Sequence, residues 1–238
     1  MKESTSGDNV LFNRTAFLAG SFAAASLALS SPAQAAAPPS ESESSPERLL
    51  GRLMAGNQRF LDNDFPNETR VAMKRELLVE SQAPFAVILG CADSRVIPNL
   101  VFVQGIGDLF VARVAGNYPD DLVTGTVEYA LEHLGTRLIM VLGHENCGAV
   151  KAVYSAIQTK TPLPPHLSVF EQLIGPGIQS IVQSRGTLQA AVIANVRAAV
   201  DALRTSGQFL AKEVRSGHVL VVGGYYHLGS GKVDVLSP

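Results

Sequence analysis

Two short segments of this 238-residue chain bring thiol, imidazole and carboxylate groups into sequence proximity: Cys91-Ala92-Asp93-Ser94-Arg95 and His144-Glu145-Asn146-Cys147-Gly148. Those three group types are the ones zinc takes in tetrahedral geometry. His144 and Cys147, three residues apart at a strand-to-helix turn, can converge on one ion. Cys91 and Asp93 lie two apart and point the same way only where the backbone stays extended. Two blander readings compete. A cysteine after a buried strand is most often a small core residue. These are also the only two cysteines, and in an exported protein two cysteines pair by default. On the residues alone, zinc and a Cys91–Cys147 disulfide both stand.

Either reading requires elements that carry the two segments to one place. Each segment follows an apolar run of strand length, Phe85 to Leu89 and Leu138 to Leu142. Leu109 to Val114 and Val219 to Val222 are further runs of this kind, and Val233 to Leu236 reads as an edge strand after the Gly229-Ser230-Gly231 turn. Continuous rather than alternating hydrophobicity points to strands covered on both faces. Helical patterns run from Pro46 through Phe60, with proline in the first turn, and over Thr124 to Leu134, Gly148 to Ile157 and Leu188 to Leu203. Pro162 to Pro165 reads as a loop. The expected fold is α/β, a central, mostly parallel sheet with flanking helices and an N-terminal helical arm. In such sheets ligands gather outside the carboxyl ends of the strands, where both segments fall.

The first 45 residues read as separate from this domain. Lys2 and Arg14 precede an uncharged Ala/Ser/Leu stretch, Thr15 to Ser31, broken at Pro32, and Ala33-Gln34-Ala35 supplies a small-x-small cleavage pattern. Residues 1–35 are expected to be a signal peptide, with an extracytoplasmic, periplasmic destination. The competing membrane anchor needs ~20 strongly apolar residues, more than this Ser-rich stretch holds. One arginine, not two, precedes it, which leaves the export route open. Residues 36–45 read as a flexible linker and 46–238 as the folded domain. A net charge of -2 provides no basic field for nucleic acid or an anionic membrane surface.

Cys91-Ala92-Asp93-Ser94-Arg95-Val96 followed by His144-Glu145-Asn146-Cys147-Gly148 resembles the zinc signature of β-class carbonic anhydrases. Gly105 to Phe110, Arg113 to Asn117, Glu128 to Gly135, Asn195-Val196-Arg197 and Gly223 to Tyr226 resemble family segments in family order. His227 departs, standing where the family often has an acidic residue. The resemblance implies Zn2+ on Cys91, His144 and Cys147, with Asp93 either a fourth ligand or paired with Arg95. It implies reversible hydration of CO2 to bicarbonate and a proton by zinc-bound hydroxide, with Asp93 and Arg95 catalytic. Gln82, Phe110, Tyr129 and the Gly148 N–H are the implied substrate contacts. The first three serve the neighbouring subunit in the family, and the helix around Leu49 to Phe60 resembles the arm that wraps it. A homodimer or larger even-numbered oligomer follows. Gln82, Phe110 and Tyr129, with no tryptophan in the chain, resemble the plant-type, open-site subgroup. The remaining histidines, His133, His166, His218 and His227, have no metal role in this reading. Alternatives are hydrolysis of carbonyl sulfide or carbon disulfide, a non-catalytic secreted module with the disulfide, and an interaction protein with a closed zinc site.

Overall fold

The structure is a computed structural model describing residues 45–65, 75–76 and 78–236. The expected signal peptide, 1–35, and linker residues 36–44 lie outside the described residues. Ser45 opens the first helix: its hydroxyl accepts from the Arg48 N–H at 3.5 Å, and Pro46 fills the first turn. In chain order the elements are α1 (Pro46–Leu61), β1 (Ala86–Gly90), α2 (Pro98–Val101), β2 (Leu109–Arg113), α3 (Asp121–Leu134) and β3 (Leu138–His144). There follow α4 (Gly148–Thr159), α5 (Ser168–Gln183), α6 (Leu188–Thr205), α7 (Phe209–Arg215), β4 (Leu220–Tyr226) and β5 (Val233–Leu236).

The strands form one sheet in the order β2-β1-β3-β4-β5, parallel except that β5 runs antiparallel to β4. Every residue of β1 and β3 is buried. Val87, Leu89, Ile139 and Val141 pack with residues of α3, α6 and α7, whereas Ala86, Ile88, Leu138 and Met140 pack with α1, α2 and Phe102. Two covered faces leave no solvent side for polar alternation, which is why these strands read as unbroken apolar runs. Each such Val, Leu, Ile or Met side chain, fully buried, contributes about 1.5–3 kcal/mol. A third cluster, built from α4, α5 and α6, encloses Cys91 and Cys147.

The α/β architecture is the expected one. Among its details, β3 runs on to His144 and β4 to Tyr226, beyond the apolar runs that end at Leu142 and Val222. Gly143 has a steric reason to be glycine: a Cβ there would meet Val196 Cγ2 at 2.4 Å, so α6 lies directly on the sheet beside His144. The sequence marks no element at Ser168–Gln183, where Pro176 reads as a breaker. Ile174, Ile178 and Val182 are buried against α4 and α6, and that packing holds α5 as a helix through the proline. Helix α1, expected as a partner-wrapping arm, is anchored on its own chain. The buried Asn57 amide donates to the Val101 and Gly231 carbonyls and accepts from the Val233 N–H, at 2.9–3.1 Å. Among the described residues, no helix is long and apolar enough to cross a membrane.

Candidate metal centre

Strands β1 and β3 are parallel neighbours, so their carboxyl ends emerge at one edge of the sheet. Cys91 follows β1, His144 ends β3, and Cys147 caps α4. The donor atoms of Cys91, His144 and Cys147 lie within 4.8 Å of one another, and all three residues are buried. The two sulfurs are 4.0 Å apart and not bonded. A disulfide requires ~2.05 Å. Two thiolates ~2.3 Å from one tetrahedral zinc stand about 3.8 Å apart. The spacing fits the metal and not the disulfide.

The protonation pattern fits as well. His144 Nδ1 is 2.9 Å from the Glu145 carbonyl oxygen, which can only accept. Nδ1 therefore carries the proton, and Nε2 keeps a lone pair. That Nε2 is buried without a hydrogen-bond partner, a costly state unless an electrophile takes the lone pair. The Cys91 thiol is pulled down to about 4 by its hydrogen bond with Cys147, against the cost of burial, with help from His144 and the Gly116 and Asp93 N–H groups. Cys147 is pushed up because it supplies that hydrogen bond and is itself buried. The two sulfurs thus share one proton, and a divalent cation between them would displace it.

Asp93 borders this cluster without joining it. Its Oδ2 is 3.9 Å from His144 Nε2. Arg95 engages both carboxylate oxygens, Nε donating to Oδ1 at 2.9 Å and Nη2 to Oδ2 at 2.7 Å, and the Arg95 N–H adds a bond to Oδ1 at 3.0 Å. The Arg95 fork holds the Asp93 carboxyl well below the usual carboxylate range. Of the two expected states of Asp93, the structure holds the paired one. Two residues that the sequence motifs contain but assign no role brace the loops. Arg113, at the end of β2, donates to the Cys91 carbonyl at 2.9 Å and the Asp93 carbonyl at 2.6 Å. Glu145 donates its N–H to the Tyr226 carbonyl and accepts from the Leu228 N–H, tying the His144 loop to the end of β4.

The family model for carbonic anhydrase matches residues 86–233, from the first strand to the last. The chain belongs to the carbonic anhydrase family. It is 33% identical over 195 residues to a carbonic anhydrase of Mycolicibacterium smegmatis, covering 82% of this chain and 95% of that protein. It is 34% identical over 183 residues to carbonic anhydrase 2 of Mycobacterium tuberculosis, covering 76% and 87%. Among solved structures it resembles the β-carbonic anhydrase CcaA, with TM-score 0.64, 25% identity and 79% and 92% of the two chains covered. A Coccomyxa β-carbonic anhydrase in complex with acetazolamide superposes at TM-score 0.63, with 27% identity over 79% of this chain and 86% of that one. The fold and class are those of the β-carbonic anhydrases.

In this carbonic anhydrase the other candidate residues are dispersed. Gly148 is exposed at the start of α4, immediately after Cys147. Phe110 is level with Val87 in the β1–β2 register, four residues and roughly 13 Å of strand before Cys91. Its ring lies 6.2 Å from that of the half-exposed Tyr129. Gln82 is exposed in a groove it lines with Leu78, Val79 and Ile106. The strand offset keeps Phe110 from the cysteines of its own chain.

Proposed function

We propose that this chain catalyses the reversible hydration of CO2 to bicarbonate and a proton, with Zn2+ held by Cys91, His144 and Cys147. The carrying observation is the buried three-donor cluster with the free His144 lone pair, bordered by an arginine-locked carboxylate. Zinc bound there supplies a nucleophile at neutral pH, by lowering the pKa of coordinated water to ~7 from ~15.7. Asp93 Oδ2, on the cluster side of the Arg95 fork, accepts the nucleophile's hydrogen and aims its lone pair at the substrate. Arg95 holds that carboxylate back, and Arg113 grips the loop beneath it, so Asp93 would be kept off a metal held by the three donors. The Gly148 N–H, at a helix start, donates to the developing anionic oxygen. Stopped-flow CO2 hydration with and without chelator tests this. Zinc-replete protein inactive across pH 7 to 9 would refute it.

The open-site subgroup is part of the same proposal. A carboxyl with a lowered pKa stays ionised above its unfolded value and loses its pairing only as pH falls through the lower, folded value. Arg95 lowers Asp93 in this way, so the dyad is constant from about pH 6 to 9. The rate is therefore expected to fall gradually on acidification, with the slope of one proton, and bicarbonate to inhibit only as product. A steep sigmoidal pH–rate curve would overturn the subgroup assignment.

A homodimer completes the proposal, with Gln82, Phe110 and Tyr129 serving the partner's site. It is supported by their distance from their own cluster and by the exposed apolar side chains around them. Leu122 is 80% exposed on α3 two turns before Tyr129, and Val79 and Ile106, which line the groove of Gln82, are exposed as well. Leu122→Arg is expected to shift sedimentation toward monomer and to lower activity with it. A fully active monomer would contradict the shared site. Export is proposed too, on the strength of the Ala33-Gln34-Ala35 pattern. Mass spectrometry of the secreted protein should find Ala36 at its N-terminus, and an intact Met1 would rule cleavage out.

A further inference from the structure

Behind the metal ligands a chain of buried amides runs from α6 to one sulfur. The Gly116 N–H donates to Cys91 Sγ at 3.4 Å. Gly116 has φ +80, and a Cβ there would come within 2.5 Å of Ile174 Cδ1, so only glycine fits this position. Its carbonyl accepts from the Asn195 side-chain Nδ2 at 2.8 Å, a contact between residues 79 apart in the chain. Asn195 is wholly buried on the face of α6 that meets the sheet, beside Val196, which fills the space left by the missing Cβ of Gly143. Its Oδ1 has no hydrogen-bond partner. A primary amide buried among Ala191, Val192, Val196 and Ala199 carries a desolvation cost that leucine would not. Packing therefore gives no reason for an amide here. The Gly116 carbonyl does.

We propose that Asn195 is a positioning residue of the metal centre: by holding the Gly116 carbonyl it fixes the backbone of the residue whose N–H sits on the Cys91 sulfur, and so sets how tightly the site holds its metal. The proposal rests on the zinc reading above. An N–H directed at a thiolate orients the sulfur and withdraws charge from it, and outer partners of this kind change metal affinity by roughly 10–100-fold when removed.

Cobalt(II)-substituted protein provides a readout separate from activity. Asn195→Leu keeps the branched shape and removes the donor. Its affinity for zinc and cobalt, measured by competition with a chromophoric chelator, is expected to fall about 10–100-fold. Its sulfur-to-cobalt charge-transfer band is expected to move to longer wavelength, because a thiolate that has lost a hydrogen bond gives up electron density more readily. Asn195→Ser, whose hydroxyl is too short to reach the Gly116 carbonyl, should behave likewise and decides the matter if the leucine variant does not fold. A variant that melts lower without metal but keeps the wild-type affinity and band would make Asn195 a purely structural amide and overturn the proposal. Wild-type protein that takes up neither metal would overturn the zinc reading and this proposal with it.

Discussion

Cys147→Ser is expected to purify with little or no zinc and without CO2 hydration activity. A serine hydroxyl stays neutral at physiological pH and is a poor substitute for a thiolate. Cys147 is 0% exposed and its sulfur lies 4.0 Å from that of Cys91, so nothing from solvent can take its place among the donors. Its loss leaves two donors from this cluster, Cys91 and His144. A drop in affinity of at least ~100-fold, about 2.7 kcal/mol, is expected. Stability should follow the metal. A ligand that binds only the folded state stabilises it by RT ln(1 + [L]/Kd), and this one joins the ends of β1 and β3 to the start of α4. Wild-type melting should therefore drop on chelation, while the variant's should respond neither to chelator nor to added zinc. Metal analysis and paired melts check both. Near-stoichiometric zinc in the variant would show that Cys147 is not a ligand.

What made this site legible in the sequence, and what hid parts of it, come down to the range of the interactions. Val87 and Leu89 face one layer of helices while Ala86 and Ile88 face the other. Burial on both faces erased the alternation and exposed β1 and β3 as strands, and Cys91 and His144 stand at their ends. The Asp93–Arg95 pairing was reached only through the family resemblance of the loop that carries both partners. Partners far apart in sequence were not readable. Arg113 acts through backbone carbonyls of Cys91 and Asp93, which any residue type would offer. Asn195 reaches Gly116 only because α6 lies on the sheet over Gly143. The end of β4 was obscured for a related reason. The apolar run ends at Val222, but the strand continues through two glycines that packing requires: a Cβ on Gly223 would meet Val196 at 2.9 Å and one on Gly224 would meet Met140 Sδ at 3.0 Å. The packing that excludes side chains there is tertiary and leaves no local mark.

Arg95→Ala is expected to do the opposite of Cys147→Ser: zinc should remain and activity should disappear. Arg95 makes three hydrogen bonds to Asp93, two from its guanidinium and one from its N–H, and only the last survives the substitution. The freed carboxylate then stands beside the cluster, its Oδ2 already 3.9 Å from His144 Nε2. Side-chain rotation would bring it into the fourth position as a protein ligand. Metal content should hold or rise, and CO2 hydration should fall by roughly 100-fold or more, the scale of a misplaced reacting group. Arg95→Lys should fall between, because a single ammonium cannot reproduce the two-pronged grip. The double variant Asp93→Ala/Arg95→Ala separates blockage from a lost electrostatic effect. With no carboxylate to occupy the metal, it should recover part of the activity that Arg95→Ala lacks. Acid titration provides an independent check. The lowered pKa of Asp93 contributes stability above the unfolded carboxylate value of ~3.9, and that contribution is lost as pH falls through the folded value. The stability gap between wild type and Arg95→Ala should therefore be present at neutral pH and close only in strong acid. Full activity in Arg95→Ala would mean that Asp93 does not compete for the metal.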